Sequence, residues 1–396
     1  MSEKRRDKKG RILHTGESQR KDGRYLYKYK DGRGEERWVY SWRLVPTDPL
    51  PKGKRACCSL REKEQEIWRD REDGIDSVGK KMTLCQLYAR QNESRANVKK
   101  STKQQRKILM EILKRDKLGA KSIDSIKPSD AKGWAVRMKE SGYSYGTINN
   151  HKRTLKASFY VAIQDGYVRK NPFDFHLNTV LEDDRKPRYA LTEEQEKQLL
   201  AFVERDPVYR KYRDEIVILL KTGLRISELC GLTEQDVDFE EGLIYVDHQL
   251  LKNKETGYYI ETPKTKSGIR DIPMTKETAM AFQRVAKREG RKNVEIDGYS
   301  HFLFINRKGF PMTNASYTAA FLSLTKKYKK VSGEEIVFSI TPHILRHTFC
   351  TRLASQNMNP KSLQYIMGHS NINITMNLYA HVSIERLKKE LQDLIA

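Results

Sequence analysis

Long apolar runs are missing from this 396-residue chain, and the residues at its start are polar and basic. A bilayer-spanning helix needs about 20 consecutive, mostly apolar residues, so no span is expected, and nothing reads as a secretion signal. Cysteine is scarce and odd in number. Cys57, Cys58, Cys85, Cys230 and Cys350 lack paired zinc-ligand spacing, which argues against a disulfide framework and predicts free thiols in a reducing compartment. No Gly-rich loop ends in Lys-Ser/Thr, and no acidic cluster resembles a two-metal nuclease site. His343 and His347 have the i, i+4 spacing of a zinc pair, but the glutamate of His-Glu-x-x-His is absent and Arg346 lies between them. Neither a metal nor another cofactor is expected.

Acidic residues are also outnumbered, 52 against 76 Lys and Arg, which leaves a net charge of +24. A polyanion is therefore the first partner to consider. Residues 1–75 carry 21 basic and 14 acidic side chains, residues 76–186 carry 24 and 12, and the remainder 31 and 26. The excess lies in the first half. This division predicts phosphate binding there and chemistry in the more neutral C-terminal half.

Two stretches alternate with period two, Arg24-Tyr25-Leu26-Tyr27-Lys28-Tyr29-Lys30 and Arg37-Trp38-Val39-Tyr40-Ser41-Trp42-Arg43, around an Asp31-Gly32 turn signal. Period two predicts strands. Tyr25, Tyr27 and Tyr29 share a face, as do Trp38, Tyr40 and Trp42, leaving Arg24, Lys28, Lys30, Arg37 and Arg43 opposite. The expectation is a small sheet with an aromatic side and a basic side. The basic side either reads a duplex, whose major groove admits a β-ribbon, or is a solvated charged face. A charged helix from about Ser59 to Arg71 closes this unit.

From Thr83 to about Phe175 the apolar period becomes helical: Ile108, Leu109, Ile112 and Leu113, then Ile148, Leu155, Phe159 and Ala162. Lys99, Lys100, Lys103, Arg106, Lys107, Lys152, Arg153 and Lys156 fill the remaining positions and are candidates for following a phosphate backbone. Residues 182–187 read as a linker, and Thr192-Glu193-Glu194-Gln195 as a capping box opening a helix. The fold class expected is multidomain α+β: a three-stranded sheet domain (1–75), an all-helical domain (80–180), and a mixed, mainly helical domain (188–396). Its last segment places Ile384, Leu387, Leu391 and Ile395 on one helical stripe.

The C-terminal part holds an ordered set: Gly223-Leu224-Arg225-Ile226-Ser227-Glu228-Leu229, His343-Ile344-Leu345-Arg346-His347, Gly368-His369-Ser370 and Tyr379. Two arginines, two histidines and a tyrosine in that order suit phosphodiester cleavage by a tyrosine nucleophile. The hydroxyl must lose a proton with an ordinary pKa of about 10, and the pentacoordinate phosphorus carries extra negative charge. Arg225 and Arg346 can clamp the non-bridging oxygens with bidentate forks. His343 and His369 can donate to the same phosphate. Glu228, three positions after Arg225, is expected to pair with it, and His347 to support the Arg346 segment.

These motifs resemble the tyrosine recombinase (phage integrase) family, and the three-part layout resembles the arm-binding, core-binding and catalytic domains of integrases of conjugative transposons. The resemblance implies a site-specific recombinase that integrates and excises a mobile element through a 3′-phosphotyrosyl intermediate and a Holliday junction, without metal or ATP. It implies that His343 or His369 assists the tyrosine proton, and that a hairpin lysine in Thr262-Pro263-Lys264-Thr265-Lys266 protonates the leaving 5′ oxygen. Lys264 is favoured over Lys266 by register against Arg270 and Pro273. Implied partners are double-stranded DNA, three further copies of the chain in a tetramer, an excisionase and a host DNA-bending protein, in a bacterial cytoplasmic, nucleoid-associated setting. The C-terminal helix then docks on its own domain or on a neighbouring copy. The competing reading is a non-catalytic DNA-binding regulator with the same fold.

Overall fold

The computed structural model describes residues 5–31, 34–76, 79–95, 98–185, 189–253, 255–263, 266–290, 292–332 and 340–379. The chain divides into two compact units, Met1–Lys186 and Pro187–Ala396.

In the first unit, β1 (Glu17–Gln19), β2 (Tyr25–Lys30) and β3 (Glu36–Ser41) form an antiparallel sheet in sequence order. Helix α1 (Leu60–Glu72) opens on a capping box, with the Ser59 N–H donating to Glu62 at 2.7 Å and the Glu62 N–H donating to Ser59 Oγ at 3.3 Å. A small core of Leu13, Tyr25, Tyr27, Leu44 and Leu60 lies against the sheet.

The expected aromatic and basic sides are not what the register builds. Leu26 stands opposite Tyr40, Lys28 opposite Trp38 and Tyr29 opposite Arg37. Directly opposed residues on antiparallel strands share a face. Tyr25, Tyr27 and Tyr29 therefore share the core side with Val39 and Arg37, while Lys28 and Lys30 share the outer side with Trp38 and Tyr40. Trp38 is 50% and Tyr40 37% exposed. The Arg24 guanidinium lies 5.4 Å from the Tyr40 ring and 5.7 Å from the Trp42 ring, and Lys54 Nζ lies 4.7 Å from Trp42. Arg37 and Arg43 are engaged elsewhere. Arg37 pairs with Asp31 at 3.0 Å and Glu35 at 2.5 Å, and Arg43 donates to the carbonyls of Pro46 at 3.0 Å and Cys57 at 2.5 Å. Alternation within each strand is local, but the phase between strands is set by the turn that joins them.

Glu17 and Glu64 are buried together under this sheet. Burial opposes ionisation of Glu17, but Arg61, donating at 3.0 Å, and the His14 N–H at 2.6 Å outweigh it and hold the carboxyl below its usual range. Burial, with the Glu17 carboxylate beside it, pushes Glu64 up to about 8.

Helices α2 (Leu84–Glu93), α3 (Lys100–Arg115), α4 (Pro128–Glu140) and α5 (Tyr145–Gln164) enclose a second core that includes Leu109, Leu113, Trp134, Ile148, Leu155 and Phe159. Lys100, Lys103 and Arg153 are exposed, and Lys99 is the half-buried N-cap of α3. Arg106 donates to the carbonyls of Asn92 and Arg95 at 3.3 and 3.1 Å, closing the end of α2. Lys152 departs from expectation. It is only 5% exposed, with its ammonium 4.6 Å from the Phe175 ring, because α5 is covered on more than one side.

In the second unit, α6 (Glu193–Arg205) opens on the predicted capping box, with the Gln195 N–H donating to Thr192 Oγ1 at 3.2 Å. There follow α7 (Arg213–Thr222), α8 (Ile226–Gly231), β4 (Val237–Asp238), β5 (Leu243–Val246), β6 (Gln249–Asn253), β7 (Gly257–Glu261), β8 (Arg270–Pro273), α9 (Lys276–Ala286), α10 (Asn314–Ser332), α11 (Pro342–Ser355), α12 (Pro360–Met367) and α13 (Ile372–Tyr379). The strands form one sheet of order β4-β5-β8 and a separate β6-β7 pair. Helix α7 is central: Ile216, Val217, Ile218, Leu219 and Leu220 are all fully buried, and it packs on α9 and α11. The predicted stripe Ile384, Leu387, Leu391 and Ile395 lies outside the described residues. Among the described residues no helix is long and apolar enough to cross a membrane.

The Glu17–Glu64 pair makes stability depend on pH. The Glu64 pKa is raised from 4.5 to about 8, so the stability from its protonated form is fully present below about 4.5 and lost as pH rises through about 8. Glu64→Gln should remove that loss. Thermal melts of the full chain at pH 6 and pH 9 should show a smaller drop in the variant, and an equal drop in both proteins contradicts the assignment.

Candidate active site

Helix α7 ends at Gly223, whose φ of 63° is left-handed. A side chain there would also meet Phe349 at 2.5 Å, so glycine is required by both conformation and space. The chain reverses through buried Leu224 and presents Arg225 as the N-cap of α8. The Arg225 N–H donates to Glu228 Oε2 at 2.8 Å, and its Nη1 donates to Glu228 Oε1 at 2.6 Å. This is the pairing that the three-residue spacing predicts.

Glu228 holds a second arginine. Arg270, 1% exposed, donates to the same carboxylate at 3.1 and 2.8 Å. Burial alone would raise the Glu228 pKa, but Arg270, then Arg225 and Arg346, bring it down to about 2. Arg346 projects from α11, one turn after the N-capping Thr341, and is 6% exposed. Burial and the neighbouring Arg225 pull its guanidinium down to about 9, so it remains charged at neutral pH.

The three arginines meet again at the C-terminal end of α12. Arg270 Nε donates to the Ile366 carbonyl at 2.6 Å, Arg346 Nη2 donates to the Met367 carbonyl, and Arg225 Nη2 donates to the Gly368 carbonyl at 2.7 Å. The last carbonyls of a helix lack intrahelical donors and carry its partial negative charge. Three consecutive oxygens are thus each taken by a different guanidinium. Gly368 itself is left-handed, φ 59°, and a Cβ there would come within 3.0 Å of the Ser267 carbonyl and 3.2 and 3.3 Å of Arg270 and Arg225.

His369 follows directly. Its Nδ1 lies 3.0 Å from Oγ1 of fully buried Thr375, leaving Nε2 as the outward nitrogen. Burial first, then Arg346, Arg225 and Arg270, lower its pKa to about 4, so the ring is neutral at pH 7. Arg225, Glu228, Gly368 and His369 line a cavity of about 410 Å³, together with His248, Gln249, Pro263 and Gly268.

Of the sequence-predicted residues, Arg225, Arg346 and His369 are brought together. His343 is exposed one turn before Arg346 on α11. Tyr379, the last residue of α13, is half-buried against the cluster of Phe349, Leu363 and Met367 and donates its hydroxyl proton to the Met358 carbonyl at 2.5 Å. Lys264 lies outside the described residues, and its neighbours Pro263 and Gly268 line the cavity. The expected hairpin around it is corrected. Strand β7 pairs with β6 and β8 with β5, so residues 262–269 join two sheets. Two clusters of His and carboxylate groups come close enough among the described residues to hold a metal, His14–Glu17–Glu64 and Asp236–Asp247–His248, and neither includes His343 or His347.

Arg270 was missed as a site residue, although the sequence carried a signal for it. In Arg270-Asp271-Ile272-Pro273 the inward Ile272 forces Arg270 inward too, since strand side chains alternate. An arginine forced inward needs buried acceptors. Thr375, which orients His369, had no such signal.

Two sequence profiles match the chain: the Phage integrase family over residues 189–386 and the DNA binding domain of tn916 integrase over residues 1–71. The chain is 63% identical over 395 residues to the transposase from transposon Tn1545 of Streptococcus agalactiae, covering 100% of this chain and 97% of that protein. It is 62% identical over 395 residues to the transposase from transposon Tn916 of Enterococcus faecalis, with the same coverage. Among solved structures it is similar to the Tn1549 transposon integrase in complex with a circular intermediate DNA, with a TM-score of 0.76 and 56% identity over 79% of this chain and 99% of that one. A second structure, of that integrase with transposon right end DNA, gives 0.75 and 57%, over 80% and 100%. From its buried arginine cluster to its whole-length relatives, the chain belongs to the Phage integrase family of tyrosine recombinases.

Proposed function

We propose that the protein is a site-specific DNA recombinase that integrates and excises a mobile element, with Tyr379 as nucleophile. The observation that carries this reading is the cluster of three guanidiniums against the single carboxylate of Glu228 beside the 410 Å³ cavity. Unbalanced charge in a desolvated site is costly until a counter-charge arrives, and a phosphodiester supplies one. Arg225 and Arg346 are each anchored through part of the fork and keep further N–H donors for non-bridging oxygens.

In the proposed reaction the Tyr379 oxygen attacks phosphorus, passing its proton to a histidine, His369 or His343. A 3′-phosphotyrosyl bond forms as the bond to the 5′ oxygen breaks, and that oxygen takes a proton from Lys264, or from Lys266 if the segment slips by two residues. Attack by a 5′ hydroxyl on the phosphotyrosine reverses the exchange. The covalent intermediate retains the free energy of the broken bond, so religation needs no ATP. Because the Tyr379 hydroxyl donates to Met358, it must exchange that partner before it attacks.

The outer sheet face, with Lys28, Lys30, Trp38 and Tyr40 flanked by Arg24, Trp42 and Lys54, is the proposed arm-site surface, and Lys100, Lys103 and Arg153 are proposed phosphate contacts on core DNA. Residues 1–75, 80–180 and 188–396 are the proposed domains. Four copies exchange strands in two steps through a Holliday junction, residues 383–396 docking in cis or in trans, with an excisionase and a DNA-bending protein setting direction.

Three outcomes are expected. Labelled nicked duplexes carrying element ends, incubated with the protein in EDTA, should yield a denaturation-resistant adduct on a gel that vanishes in Tyr379→Phe while binding persists. Specific binding with no wild-type adduct would favour the non-catalytic reading. Arg270→Lys keeps the charge but loses the fork, and should slow adduct formation about 10- to 100-fold with little change in duplex affinity; an unchanged rate removes Arg270 from the positioning set. Arg24→Ala and Lys28→Ala should each weaken arm-duplex binding and lower the salt slope by about one counterion. Arg37→Ala, on the core side, should leave both unchanged, and equal losses in all three variants would sink the outer-face assignment.

A further inference from the structure

The five thiols sit in different environments. Burial pushes Cys85 up, Cys350 up to about 11, and Cys230 higher still. Cys57 is the exception. The Trp42 backbone N–H, Ser41 Oγ at 3.7 Å, Lys63 and Arg43 lie around its sulfur and hold the thiol below its usual range. It is half-buried, and the adjacent Cys58 is exposed. An accessible, activated thiol with a second thiol next to it is the arrangement of a reactive cysteine with a resolving partner.

The backbone of this pair also holds the sheet. The Cys57 carbonyl accepts Arg43 Nη2 at 2.5 Å, and the Cys58 carbonyl accepts Ser41 Oγ at 2.6 Å. Ser41 Oγ in turn accepts the Arg43 N–H at 3.2 Å. The segment between these anchors carries Lys54, which stacks on Trp42. Consecutive Cα atoms are about 3.8 Å apart across a trans peptide, whereas a disulfide ordinarily spans about 4.4–6.8 Å. A bridge between neighbours therefore closes a small, strained ring that contains the peptide between them, and relieving that strain twists the peptide. The carbonyl of that peptide is the one held by Arg43, whose buried Nε already lacks a partner.

We propose that Cys57–Cys58 is a hydroperoxide-reactive dithiol whose oxidation releases the 57–58 segment from the end of β3. The Cys57 thiolate attacks the outer peroxide oxygen and the O–O bond breaks. The alkoxide leaves and takes up a proton as the alcohol, and Cys57 becomes a sulfenic acid. The Cys58 sulfur then attacks the sulfenic sulfur, and the displaced hydroxide leaves with the thiol proton as water. The two thiols supply the two electrons that reduce the peroxide. A bridge that strains its own backbone is readily reduced, so the change is reversible by a thiol. Its effect on DNA rests on the arm-surface reading above, but the chemistry and the release do not.

The full-length chain treated with tert-butyl hydroperoxide is examined by peptide mass spectrometry and hydrogen exchange. The Cys57–Cys58 peptide should lose two hydrogens and regain them with dithiothreitol, and exchange protection should be lost at the Trp42 and Arg43 amides. Cys58→Ser should instead accumulate a dimedone adduct on Cys57, and Cys57→Ser should give neither product. A Cys57 that reacts no faster than Cys85 overturns the proposal, as does a bridge that leaves the two amides protected. Arm-duplex binding separates the two readings. Loss on oxidation with recovery on reduction supports both, whereas a reduced protein that never binds the arm duplex, yet still shows the bridge and the lost protection, removes only the arm reading.

Discussion

Two guanidiniums share one buried carboxylate and, with a third, take three consecutive carbonyls at the end of one helix, and the C-terminal unit is arranged to make that possible. Glu228 is fixed by α8, Arg270 by β8, Arg346 by α11 and the carbonyls by the end of α12, so four separate elements are tied at one point. Like charges in a buried site repel, and the cluster holds because each guanidinium finds a fixed anionic or dipolar partner. The two left-handed glycines follow from the same constraint. Gly223 and Gly368 turn their chains sharply enough to aim carbonyls at arginines, in space too tight for a side chain.

Much of this was legible in the residues. The ordered arginines, histidines and tyrosine pointed to the chemistry, the capping box at Thr192 marked a helix start, and the apolar spacing around Leu109 and Phe159 located a helical core. What failed was non-local. Alternation identified both N-terminal strands, but the phase between them is a property of the turn, so the faces were misassigned. Lys152 is buried against its one-sided sequence pattern, because such periodicity does not reveal a helix covered on two sides. The strands before and after Lys264 are not partners of each other, since β7 pairs with β6 and β8 with β5, a choice set by residues far away in sequence. Arg270 was hidden by its type: an arginine is ordinarily read as surface, and only its alternation with Ile272 shows otherwise.

The sheet register changes what the N-terminal unit offers to a partner. A basic face alone attracts any polyanion, whereas cations stacked on Trp42 and Tyr40 have limited freedom and a flat apolar neighbour. Such a surface combines charge with shape, and ordering it costs less side-chain entropy than ordering free lysines and arginines.

The low proton affinity of His369 has a consequence for the resting protein. Buried, and surrounded by Arg346, Arg225 and Arg270, the ring is a weaker base than a free imidazole. An arriving phosphate brings negative charge to the same three arginines and weakens the field that suppresses the ring. Base strength is then a property of the protein–DNA complex. In the proposed reaction, proton transfer from Tyr379 to His369 is then favoured only once the scissile phosphate is in place.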